Sequence, residues 1–168
     1  PHIQKDPAMT ESVEQHYGND GIVQRIVEAL TQSGFDMENL DPDVLAGADE
    51  FHIGGREGTI QVASAIKINA EHQLLDVGCG IGGAARFFAR STGASVTGVD
   101  LTPEFVGAAI ELTNLVGMSG QIDFKVGSAT DLPFMDDTFD AVTMLHVGMN
   151  LADKDQMMSE LARVCRPQ

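Results

Sequence analysis

Apolar positions along this chain switch between two periods, and the switches mark out its elements. Over residues 21–33, Ile22, Val23, Ile26, Val27 and Leu30 fall at helical spacing, and Gly34 ends the stripe. Residues 35–50 are acidic and predict a loop, with short helical turns at 42–46. A further helix is predicted over 59–68, after the pair Gly54 and Gly55. From residue 74 short apolar runs alternate with longer amphipathic stretches. They predict strand 74–78, helix 83–91, strand 95–99, helix 103–116, strand 121–126, strand 138–145 and helix 153–164. Such alternation predicts an α/β fold, a parallel sheet with helices on both faces, in the strand order 3-2-1-4. Residues 1–10 are a polar leader, and no internal repeat appears.

The chemistry concentrates where the first strand ends. Residues 74–83 run Leu-Leu-Asp-Val-Gly-Cys-Gly-Ile-Gly-Gly, and the second strand, Ser-Val-Thr-Gly-Val-Asp, also closes on an acid, Asp100. A strand that turns sharply into a helix beside a ligand leaves no room for a Cβ, and Gly78, Gly80 and Gly82 or Gly83 meet that need. The helix that follows directs its N-terminal N–H groups at the ligand. Asp100, at a strand's carboxyl end, is placed to accept from ribose hydroxyls. The spacing Gly78-x-Gly80-x-x-Gly83 also fits the dinucleotide fingerprint. Asp76 decides between the two. A carboxylate beside this turn repels a pyrophosphate but favours the sulfonium and ammonium of S-adenosylmethionine (SAM).

On these residues the chain resembles the class I SAM-dependent methyltransferases. The branch is that of the ubiquinone/menaquinone-biosynthesis C-methyltransferases and small-molecule N-methyltransferases. Residues 74–83 match the first motif and 96–100 the second. Gly127-Ser128-Ala129-Thr130-Asp131-Leu132-Pro133-Phe134 matches the family's G-D-A-x-x-L-P-F, Phe139-Asp140-Ala141-Val142 starts the fourth strand, and residues 160–167 resemble the helix ending in R-V-L-R-P-G-G. The resemblance implies a Rossmann-like methyltransferase sheet over 59–168, cut short after its fourth strand, behind an N-terminal leader and helical lid segment over 1–58. The sheet edge left open in this way invites self-association. SAM is the implied cofactor, and S-adenosylhomocysteine (SAH) its product.

The resemblance also extends the set of cofactor contacts beyond Asp76, Gly78, Gly80, Gly82 and Asp100. Cys79 lies inside the turn. Leu101 is placed to pack on adenine. Ser128 stands where the family has Asp, its hydroxyl an uncharged substitute acceptor, and Ala129 offers a backbone N–H. His52 and Gly54 belong to a segment like the glycine-pair turn that meets the methionine end of SAM in phosphoethanolamine N-methyltransferases. Tyr17, the only tyrosine, resembles a lid aromatic. His146 and Asn150 follow the fourth strand, near the methyl group, and His146 is the candidate base. The bland alternatives are helix capping at Gly54, a loop serine at Ser128, packing at Leu101 and Ala129, and a backbone-only contact at His146.

Charge and composition narrow the partners. The formal net charge is −15, with no basic patch, which argues against nucleic acid and leaves a small-molecule acceptor. No apolar run approaches the roughly 18 residues of a membrane span. No secretory h-region opens the sequence, and the two cysteines, Cys79 and Cys165, suit a reducing, cytoplasmic setting. No metal-ligand spacing appears among the five histidines. The expected activity is methyl transfer to an amine of the glycine, sarcosine, dimethylglycine or ethanolamine-phosphate type. Quinone-type C-methylation is the alternative. An NAD-dependent oxidoreductase and a non-catalytic SAM-binding module are the alternatives of other classes.

Overall fold

A computed structural model describes residues 19–49 and 54–167. Its elements follow the predicted alternation. Helix α1 (Asn19–Gln32) is followed by a 3-10 turn (Pro42–Leu45), the single-turn α2 (Ala46–Asp49) and α3 (Gly55–Ala65). The core then runs β1 (Gln73–Val77), α4 (Gly83–Thr92), β2 (Ser95–Asp100), α5 (Pro103–Leu115), β3 (Ile122–Val126), β4 (Ala141–Met144) and α6 (Lys154–Val164). Among the described residues the sheet has four strands, ordered β3-β2-β1-β4, all parallel. This is the α/β architecture, with the parallel sheet and the strand order expected from the sequence.

Strand side chains alternate between two faces, and the register shows which residues share one. Leu74, Val96 and Ile122 are register partners across β1, β2 and β3, and they pack with Ala85, Phe88 and Ala89 of α4. Leu75, Val77 and Val99 point the other way, into a core with Leu132, Phe139, Met157 and Val164. A third core sits between the N-terminal layer and α5, where Ile26, Leu30, Leu40 and Leu45 meet Ala108, Leu112 and Ile81. Ile81 belongs to the glycine turn, so the N-terminal layer packs directly on it. No described helix is long and apolar enough to cross a membrane.

Three boundaries differ from the sequence reading. Helix α3 begins at Gly55 rather than 59, because Gly54 adopts φ 100° as its N-cap, and it ends at Ala65, where Ile66 turns extended. Within the loop over 35–50 the short helical turn expected at 42–46 is present, with Asp41 accepting from Asp43 N at 2.9 Å at its start, but it continues through α2 to Asp49. The fourth strand is shorter than 138–145. The amides of Thr138 and Phe139 donate to Val164 O instead of a strand, and His146 leaves the sheet with φ 57°.

Candidate active site

A cleft of about 330 Å³ opens at the carboxyl ends of β1, β2 and β4. Asp76, Gly78, Cys79, Gly80, Asp100 and His146 all line it, so the structure brings the central sequence-predicted residues together. Asn150 joins them from the 3-10 turn Gly148–Asn150.

The turn after β1 is built by backbone geometry. The amides of Gly78 and Cys79 both donate to Val99 O, at 2.7 and 3.1 Å, which fastens the turn to β2. Gly80 has φ 53°, and a Cβ there would meet nothing within 4 Å. This is the glycine whose bare surface faces open space beside the cleft. A Cβ on Gly78, by contrast, would overlap Val147 of the loop after β4. One on Gly83 would lie 2.5 Å from Asp49 O, and one on Gly82 would lie 2.8 Å from Arg86 Nη1. The sequence reading assigned these glycines to ligand approach. Three of the four also make room for the protein's own side chains and backbone, and of these Gly78 lines the cleft as well.

Asp100 ties the second strand to the turn. One carboxylate oxygen accepts from Gly80 N at 2.9 Å and the other from Thr102 N at 2.9 Å. Such bonds fix the carboxylate's orientation at the cleft wall. Asp76 is buried, and its Oδ1 accepts from Thr143 Oγ1 of β4 at 3.0 Å. Burial pushes the Cys79 thiol well above the usual cysteine range, and the charges of Asp76 and Asp100 push the same way. The thiol is enclosed within the turn.

Beyond Asp100 the surface is open. Leu101 is 69% exposed and does not line the cleft. Gly127 N donates to Asp100 O at 2.9 Å, which sets the following loop beside that carboxylate. In that loop Ser128 Oγ lies 2.8 Å from Thr130 Oγ1 and accepts from Thr130 N at 3.2 Å. Ala129 packs its methyl into the core. Gly54 lines a neighbouring cleft of about 500 Å³ with Glu57, Gln61, Leu145 and His146. His146 thus stands between two clefts, in a left-handed conformation that is uncommon for a side-chain-bearing residue. Tyr17 and His52 lie outside the described residues.

Sequence reasoning missed Asp49 and Phe105, which also line the first cleft. Asp49 is a buried acid whose Oδ2 accepts from Arg86 Nη2 at 2.8 Å. Its only sequence signal was its place in an acidic stretch, five residues before Gly54. Phe105 also borders an apolar groove of about 650 Å³ with Ile22, Ile26, Leu30 and Ala48.

Three carboxylates and no lysine or arginine line the first cleft. That donor set fits a cationic cofactor with hydroxyls and opposes a pyrophosphate. SAM carries the matching groups, and the bare Gly80 leaves space for it at the turn.

The chain is similar to known methyltransferases. The methyltransferase domain family matches residues 75–168. The chain is 35% identical over 132 residues to methyltransferase GfsG of Streptomyces halstedii, covering 79% of this chain and 45% of that protein. It is 32% identical over 133 residues to the glycine/sarcosine/dimethylglycine N-methyltransferase of Actinopolyspora halophila, covering 72% of this chain and 24% of that protein. Phosphoethanolamine N-methyltransferase 2 of Haemonchus contortus, solved with phosphomonomethylethanolamine and SAH, superposes with a TM-score of 0.66 at 26% identity, over 73% of this chain and 29% of that one. The chain spans less than half the length of these relatives.

Proposed function

The chain belongs to the methyltransferase domain family of SAM-dependent enzymes, and from that premise we propose that it carries the cofactor core of an enzyme that methylates a small amine. Acceptors of the glycine, sarcosine, dimethylglycine or ethanolamine-phosphate type are the best candidates. The observation that carries the cofactor half of this reading is the cleft itself: Asp76 and Asp100 line it, no lysine or arginine does, and Asp100 is held in place by Gly80 N.

When bound, SAM supplies a methyl group made electrophilic by its sulfonium. Asp100 is the residue to hold the ribose hydroxyls, and Asp76 offers negative charge where the cofactor is positive. Glu57 and Gln61 line the adjoining cleft and give an amine both charge and hydrogen-bond acceptors. Holding the acceptor in reach is the main contribution left to the protein. His146 borders both clefts, which supports its assignment as the group that takes the proton the acceptor loses. A neutral amine needs little such help, whereas a hydroxyl or carbon acceptor depends on it.

The apolar groove beside Phe105 favours a second reading, C-methylation of a quinone-type molecule, because an apolar acceptor could extend there. Calorimetric titration with SAM and SAH, on wild type and Asp100→Ala, tests the cofactor. At least a tenfold weaker affinity in the variant is expected, about 1.4 kcal/mol. Mass spectrometry after incubation with SAM and glycine, sarcosine or phosphoethanolamine then tests the acceptor. SAM binding with no methylated amine would remove the amine reading and leave the quinone one or a non-catalytic module. A folded chain that binds NADH and not SAM would sink both.

A further inference from the structure

We propose that Asp49 is a positioning residue for the cofactor turn and that it acts through Arg86. The inference rests on the cofactor reading above.

Arg86 is costly where it stands. It lies in the first turn of α4, where the helix dipole disfavours a cation. Its side chain is 2% exposed, and that of Asp49 is 1% exposed. Burial lowers the Arg86 pKa, and the Asp49 charge is the largest influence opposing that shift. A buried ion pair of this kind is weak evidence of added stability, because the loss of hydration offsets the attraction. What the arginine touches is more informative.

Its guanidinium joins three parts of the chain. Nη2 donates to Asp49 Oδ2 at 2.8 Å and to Ile81 O at 2.8 Å. Nη1 donates to Thr113 Oγ1 of α5 at 2.9 Å. Ile81 is the middle residue of the turn, next to Gly80, and both line the cleft. The turn is therefore held from two sides: Asp100 takes the Gly80 amide, and Arg86 takes the Ile81 carbonyl. Asp49 fixes the fork of Arg86. It is the only acidic side chain in the structure's ion pairs with that guanidinium among the described residues. The space left by Gly82 and Gly83 is the space this pair occupies. In this assignment the glycine pattern serves two ends. Gly80 leaves room for the cofactor, and Gly82 and Gly83 admit the pair that orients the peptide beside it.

The test separates positioning from plain stability. SAH affinity is measured by calorimetry in the full protein, well below the melting temperature of each variant, with circular dichroism confirming the fold. Three proteins are compared: wild type, Asp49→Asn, and the double variant Asp49→Leu/Arg86→Met. The double variant carries no buried charge, so its melting temperature should recover toward wild type. Its SAH affinity should not recover. Both variants should bind at least about tenfold more weakly, because neither holds the Ile81 carbonyl as the pair does. The double variant also decides the matter if Asp49→Asn does not fold. Wild-type affinity in the double variant, or in a folded Asp49→Asn, would overturn this inference alone. A wild type that binds no SAH would overturn the cofactor reading and this inference with it.

Discussion

Two arginines stand one turn apart on α4, and both reach acids of the N-terminal layer. Arg86 meets Asp49, and Arg90 meets Asp41 and Asp43. The pairing chemistry is the same, but the surroundings are not. The Arg90 and Asp41 side chains are 42% and 56% exposed, so water and salt already satisfy them. Such pairs contribute about 0 to 1 kcal/mol. The Arg86 pair is enclosed, and neither partner has water to fall back on. The comparison teaches that burial, not the number of ion pairs, sets what the loss of one partner costs.

Breaking the enclosed pair from one side should have the largest effect. Arg86→Ala takes away the guanidinium that faces the buried Asp49 carboxylate, and urea denaturation should show a loss of about 3 to 5 kcal/mol. A loss below about 1 kcal/mol would mean that water reaches Asp49 and that the contrast with Arg90 is false. Gly83→Ala comes next. The new methyl would sit 2.5 Å from Asp49 O, so the two segments must separate. Overpacking of this sort costs about 1 to 3 kcal/mol, read as a lower denaturation midpoint.

Glu160 sharpens the comparison because it is an intermediate case. It accepts from Leu132 N at 2.7 Å and from Arg163 Nε at 2.7 Å. The bond from Arg163 is the main cause that holds its carboxyl at about 2, below the usual 4.5. A depressed carboxyl contributes stability that is fully present above its unfolded value and is lost as pH falls through the folded one. The contribution should therefore persist above pH 4.5 and disappear between there and about pH 2. Glu160→Gln should flatten that acid limb of the stability curve, and should cost about 1.5 to 3 kcal/mol near neutral pH. An unchanged acid limb would mean that Glu160 is not the group responsible. The smallest effect belongs to Arg90→Ala, below about 1 kcal/mol, and about 0.5 M salt should erase it in wild type as well. Salt should leave the Arg86→Ala difference largely intact.

Element type was legible in the sequence because helices and strands bury faces of different period. Strands β1, β2 and β3 and helices α4, α5 and α6 appear within a few residues of the reading, as does the strand order. The Asp76, Gly80 and Asp100 constellation was legible because its chemistry sits at one strand end and the next. The Asp49–Arg86 pair was not. Its members lie 37 residues apart, and each resembles an ordinary surface charge in its local sequence. Periodicity records which face is apolar, but it carries no sign that a charge on that face has found a distant partner. The start of β4 was overestimated for a similar reason. Residues 138–140 precede the apolar run in sequence, but the amides of Thr138 and Phe139 donate to Val164 O, a distant partner that periodicity does not record.

The inert thiol of Cys79 has a practical side. Of the chain's two cysteines it is enclosed in the turn, with its proton held tightly, whereas Cys165 is only half-buried. Cys165 bridges to Phe139 at the amino end of the fourth strand, across the sheet from the cofactor cleft. Of these two thiols a maleimide dye would thus favour Cys165, at the opposite end of β4 from the cleft.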